Sequence, residues 1–148
     1  MKTAQDIMTP NPITTRPETS ISEAVKILLK KGFNGIPVVD NDRKLLGIIC
    51  QSDLVAQQQR LELPSVFTLL DGFFPLPGWK KAEKAFEKMN ALTVGEAMTK
   101  NPVSITPETG IDEVASLMVK AKYYSLPVIR DGKVVGIVGK EDILRTLV

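Results

Sequence analysis

Apolar and polar residues alternate along this chain in two rhythms that appear in order and then recur. From Ile21 the run ISEAVKILLKK places Ile21, Val25, Ile27, Leu28 and Leu29 at helical spacing, with Lys and Glu between them. That spacing predicts an amphipathic helix, and Ser20 three residues ahead of Glu23 predicts a capping box at its start. Two short apolar stretches follow, GIPVV from Gly35 and LLGII from Leu45. Their length and flanking turn residues predict strands. Upstream, an extended segment is expected from Ile13, since Pro12 and Pro17 disfavour helix there. Downstream, a second helix is expected from near Ser52. The order is strand, helix, strand, strand, helix.

The same order is then written again. Laying residue 6 on residue 96 puts Met8 on Met98, Thr9 on Thr99, Asn11-Pro12 on Asn101-Pro102 and Pro17-Glu18-Thr19 on Pro107-Glu108-Thr109. Ile21 meets Ile111 and Pro37-Val38 meets Pro127-Val128. One deletion in the turn then sets Gly47-Ile48 on Gly136-Ile137 and Asp53 on Asp142. A shared helix or strand rhythm would not align prolines and glycines, so the match marks a duplication. In the second copy Val103 opens the extended segment, Gly110 with Glu113 gives a weaker cap, Asp131-Gly132 predicts a tight hairpin, and the last helix starts near Glu141. The first copy has the longer turn Asn41-Asp42-Arg43-Lys44.

A unit of about fifty residues is marginal for a core of its own. Two copies packed sheet to sheet about a pseudo-twofold axis would cover each other, giving an α+β architecture with clefts at the seam. The repeats are placed at residues 3–60 and 92–148, with an unrepeated linker at 61–91. Within the linker Trp79, Ala82, Phe86 and Met89 fall at helical spacing, which predicts a helix packed by one face on the body or on another subunit.

Composition narrows the chemistry. The chain has no His and one Cys, so it can form no His-based metal site, no Ser-His-Asp or Cys-His pair and no internal disulfide. Nineteen basic residues against 17 acidic ones leave a net charge of +2, too balanced to point to nucleic acid. The start of the sequence lacks an apolar stretch of signal-peptide length. The most apolar region, LPSVFTLLDGFFPLPGW, is broken by Asp71 and three prolines, short of a membrane span. The expectation is a soluble, cytoplasmic protein without an enzymatic centre.

The paired signature Met-Thr-x-Asn-Pro, Pro-Glu-Thr-x-Ile, apolar-Pro-Val and Gly-Ile with a following Asp resembles two CBS domains in tandem, the arrangement called a Bateman module. The resemblance covers residues 3–60 and 92–148, each repeat β-α-β-β-α. The linker is similar to that of small stand-alone CBS-pair proteins.

The resemblance implies a regulatory module that binds an adenosine nucleotide (AMP, ADP, ATP or an adenosyl compound) between the repeats. It assigns the ribose to Asp53 and Asp142, a carboxylate being able to accept two hydrogen bonds from a cis-diol. It assigns the adenine to backbone at Asn34, Gly35 and Ile36 and at Tyr124, Ser125 and Leu126, with Thr14 and Ser104 as lesser candidates. Phosphate candidates are Arg130 and Lys140, with magnesium an allowed companion and no resident metal implied.

The chain departs from the family pattern where a hydroxyl residue often precedes the Asp by three: Cys50 and Gly139 stand there. The expectation is therefore weak binding, or occupancy of one cleft. The second copy is the better candidate, with Lys140, Asp142 and a ring from Tyr123 or Tyr124. A homodimer built through the helices is also implied. The competing reading is a nucleotide-independent interaction module that docks an unknown protein partner through Phe67, Phe73, Phe74 and Trp79.

Overall fold

In the computed structural model the repeated rhythm becomes two three-stranded sheets, each flanked by helices and each completed by a strand from the other copy. The structure describes residues 2–61 and 92–148, with side chains to residue 56 in the first stretch. The helix expected in the linker, with Trp79, Phe86 and the other aromatic residues named there, falls outside the described residues.

The first half runs through α1 (Ala4–Ile7), β1 (Thr9–Pro10), α2 (Ile21–Lys31), β2 (Gly35–Val39), β3 (Leu45–Cys50) and α3 (Gln51–Leu61). The second repeats it as α4 (Val94–Ala97), β4 (Thr99–Lys100), α5 (Ile111–Ala121), β5 (Ser125–Arg130), β6 (Lys133–Gly139) and α6 (Lys140–Arg145). Helix α2 begins where the capping signal placed it, with the Ser20 hydroxyl accepting the Glu23 N–H at 3.3 Å. Gly110 offers no side chain to cap α5. The hairpin at Asp131-Gly132 has φ of 54° and 79°, the paired positive values of a type I′ turn.

The extended segments expected from Ile13 and Val103 join their own copy's sheet in parallel. Thr15 bridges Val38 and Ile105 bridges Val128; the Thr15 N–H donates to the Pro37 carbonyl at 3.0 Å and the Val39 N–H to the Thr15 carbonyl at 2.9 Å.

The strands before them do something the sequence did not suggest. β1 pairs antiparallel with β6, Thr9 opposite Ile137, and β4 pairs with β3, Thr99 opposite Ile48. The sheets are therefore β1-β6-β5 and β2-β3-β4, and each borrows an edge from the other half. The glycines of the two Gly-Ile motifs permit this. A Cβ on Gly47 would sit 2.6 Å from both Met98 Sδ and the Thr99 carbonyl oxygen, and one on Gly136 would run into Met8. The Asn-Pro motif has a structural role too. Asn11 and Asn101, just past the exchanged strands, have φ of 46° and 50°, a left-handed conformation that Asn tolerates better than most side chains.

The one-turn helices ahead of these strands cross over as well. The Ala4 N–H donates to the Thr109 carbonyl at 2.8 Å and the Gln5 N–H to Pro107; Val94 and Gly95 make the mirror contacts with Thr19 and Pro17. Each helix is closed by a capping box, Thr3 with Asp6 and Thr93 with Glu96. As a result Val94 and Ala97 are buried among Ile21, Val25, Leu28 and Ile36, while Ala4 is buried among Val114, Leu126 and Val138. Neither core is closed by its own half.

Candidate functional site

The seam opens at one end into a cleft of about 410 Å³, within the range of small-molecule sites. Both halves line it. The first contributes Thr9 and the Asn11 turn from the exchanged segment, and Lys31 to Gly35 between α2 and β2. The second contributes Ser125, Gly139, Glu141, Asp142 and Arg145, around the point where β6 passes into α6. Phe33 and Ile13 add apolar wall.

Asp142 reaches this cleft from the first turn of α6. Its Oδ2 accepts the Gly139 N–H at 2.7 Å, and its Oδ1 accepts from Arg145 Nη1 at 3.2 Å. The first bond closes the helix start, as a carboxylate in the first turn commonly does. The second is with a guanidinium whose side chain is 73% exposed, an exchangeable partner of the kind that contributes little to stability.

Asp53, at the same place in the first copy, has different surroundings. Its Oδ2 accepts the Cys50 N–H at 2.7 Å, and its Oδ1 accepts the Thr99 hydroxyl at 2.9 Å. Thr99 arrives on the exchanged strand β4, so the crossover itself occupies this carboxylate. Burial raises the pKa of Asp53, against the lowering effect of the two hydrogen bonds. Burial, with Asp53 close by, also pushes Cys50 up to about 12, so the thiol stays protonated at neutral pH and is a poor nucleophile.

The backbone flanking the cleft is partly committed to the helix starts. The Gln51 N–H donates to the Asn34 carbonyl at 3.3 Å, and the Lys140 N–H donates to the Tyr124 carbonyl at 3.0 Å. Of the residues singled out from sequence, Asn34, Gly35, Ser125 and Asp142 share the cleft. Ile36 and Leu126 lie next to it in the chain, but their side chains are wholly buried in the two cores. Thr14 is half-buried and Ser104 exposed, both outside the lining. Tyr124 is also exposed, with the Lys140 ammonium 5.1 Å from its ring centre, and neither residue lines the cleft. Arg130 is paired with Glu108 at 3.3 Å on the surface.

Lys31, Phe33, Glu141 and Arg145 were not singled out from sequence. Arg145 carried a usable signal, because a residue three after Asp142 on a helix falls on the same face. Lys31 carried none, since a lysine in a helix's last turn is ordinary. Among the described residues no helix is long and apolar enough to cross a membrane, and no three His, Cys, Asp or Glu side chains cluster to hold a metal ion.

Against known proteins, the family model described as "CBS domain" matches residues 4–59 and 94–148. A Methanocaldococcus jannaschii protein, MJ1426, is 33% identical over 97% of this chain and 90% of its own length. The chloroplastic CBS domain-containing protein CBSX1 of Arabidopsis thaliana is 32% identical over 88% of this chain. The chain spans 56% of that relative. Among solved structures, CBSX2 in complex with AMP matches with a TM-score of 0.75 at 27% identity, covering 99% of this chain and 96% of that one. The CBS domain pair of protein MJ0100, in complex with 5-methylthioadenosine and S-adenosyl-L-methionine, matches with a TM-score of 0.73 at 32% identity, covering 99% and 96%.

Proposed function

The chain belongs to the CBS-domain family, and from that premise we propose that it is a non-catalytic regulatory module which binds one adenosine-containing ligand in the Asp142 cleft. The observation that carries the proposal is the meeting of Asp142 with Asn34, Gly35 and Ser125 in one inter-repeat cleft. The carboxylate takes the ribose hydroxyls, its weak bond to Arg145 giving way, and the ring lies against the Phe33–Gly35 wall. The adenosine ligands of CBSX2 and MJ0100 support the ligand class. Asp53 takes no ribose in this reading, because it is not among the residues lining this cleft and the Thr99 hydroxyl of the exchanged strand engages the oxygen that in Asp142 meets only an exposed arginine. Binding regulates by favouring one packing of the halves over another, and a homodimer or a protein partner reads that change.

Calorimetric titration with AMP, ADP, ATP, 5-methylthioadenosine and S-adenosylmethionine tests this. Saturable heat is expected for at least one of them, at one site per chain. Asp142→Ala is expected to weaken binding at least about tenfold, the scale of losing charge-assisted hydrogen bonds, with Asp53→Ala leaving the affinity within about twofold. Absence of heat with every ligand would sink the proposal.

A further inference from the structure

We propose that Arg43 is the pivot between two sheet-centred bodies, and that rocking about it opens and closes the Asp142 cleft at the opposite end. The inference concerns the mechanics of the seam and holds whichever ligand the cleft takes.

Because the edge strands are exchanged, the bodies that move are the sheets and not the sequence halves. One body holds β2-β3-β4 with α2, α3 and α4, and the other holds β1-β6-β5 with α1, α5 and α6, each around its own core. The crossing contacts of the one-turn helices fall inside these bodies, Ala4 and Gln5 with Thr109 and Pro107 in one, Val94 and Gly95 with Thr19 and Pro17 in the other. Among the described residues two hydrogen bonds join the bodies, and both belong to Arg43. Its carbonyl accepts the Val134 N–H at 3.0 Å, and its Nη2 donates to the Val134 carbonyl at 3.4 Å. Next to them Lys44 bridges Lys133 antiparallel. Those two lysines are equivalent in the duplication, so the contact lies at the pseudo-twofold axis.

The other copy supplies a control. Arg43 has a φ of 64°, and its equivalent Gly132 has 79°. Glycine takes such a conformation freely; at Arg43 a side chain is kept there and used across the seam. The pivot stands at the start of β3 and β6, whereas Gly35, paired with the end of β3, and Asp142, just past the end of β6, line the cleft. The seven residues of β6 put about 20 Å between pivot and cleft. A small rotation at one end becomes a change of gap at the other, as in hinge closure.

Spin labels test the pivot in the full chain carrying Cys50→Ser, so that each label pair stands alone. Lys30→Cys with Lys140→Cys flanks the cleft, and Asp42→Cys with Arg130→Cys flanks Arg43; all four side chains are exposed. The distance distribution is expected to be wider across the cleft than beside Arg43. Arg43→Gly installs the other copy's residue, keeps the left-handed turn and removes the guanidinium, and is expected to widen the cleft distribution further. With Cys50 in place, hydrogen exchange on the same variant is expected to run about three- to tenfold faster at the Val134 amide, the scale of one hydrogen bond. The Val39 and Ile129 amides, bonded within one body at 2.9 and 2.8 Å, are expected to keep their rates. Equal widths in the two label pairs, or a Val134 amide and a cleft distribution untouched by Arg43→Gly, overturns the inference. Faster exchange at Val39 and Ile129 along with Val134 also overturns it, since that marks a loosened turn and not a pivot.

Discussion

The Asp53 carboxyl is partly buried, so the folded chain holds its proton more tightly than the unfolded chain does, despite the hydrogen bonds from Cys50 and Thr99. The sign follows directly. With the folded pKa raised above the ordinary 3.8, the folded state binds more protons in the window just above that value, and stability falls as pH rises through it. Asp53→Asn keeps an acceptor for the Cys50 N–H and removes the titration. Urea midpoints measured from acid to neutral pH are expected to show a shallower fall in the variant; identical slopes would refute this account. At this scale the sequence was half legible. The two aspartates stood out by their place in the motif and the second was favoured, but on Lys140 and a tyrosine ring, which do not line the cleft; in the structure the difference comes from Thr99 on one side and Arg145 on the other. Those partners lie 46 and three residues away. The nearer one could have been read from helical spacing.

Among the elements, the long helices and the β2-β3 and β5-β6 hairpins were legible because periodicity, caps and turn residues all spoke for them. The one-turn helices and two-residue strands were not, since four residues carry no period to read. Glycine was the overlooked signal. Gly47→Ala forces a Cβ against the Thr99 backbone oxygen and is expected to cost about 1–3 kcal/mol, as overpacking does. Gly139 offers a contrast, because its nearest neighbours would be 3.6 and 3.7 Å away. Gly139→Ala is expected to be neutral or stabilising by up to about 1 kcal/mol, through the unfolded chain. Denaturant unfolding of the two variants checks both, and a Gly47→Ala protein as stable as the parent would mean that β4 does not pack as closely as described.

For the whole molecule, the duplication announced two like halves but not which strand pairs with which. Met-Thr-x-Asn-Pro occurs twice, and each copy has its own Gly-Ile in the second hairpin strand, Gly47-Ile48 and Gly136-Ile137, so in the sequence either leader suits either sheet. Only the three-dimensional path decides that each crosses over. Because Val94 and Ala97 close the first core and Ala4 closes the second, each half alone would leave apolar surface open. Residues 1–61 and 92–148 produced as separate chains are therefore expected to lack a cooperative unfolding transition and to regain one when mixed. A sharp transition in either fragment alone would contradict the shared cores.

The crossing of β1 has a mechanical result at the cleft. Thr9 belongs to the first half by sequence but lies in the same sheet as the strand that leads to Asp142, so together they make a fixed floor. The wall at Lys31 to Gly35 stands on the other half's core. A guest touching floor and wall is a gauge of how the two halves sit, and anything that slides one against the other would alter how firmly the guest is held.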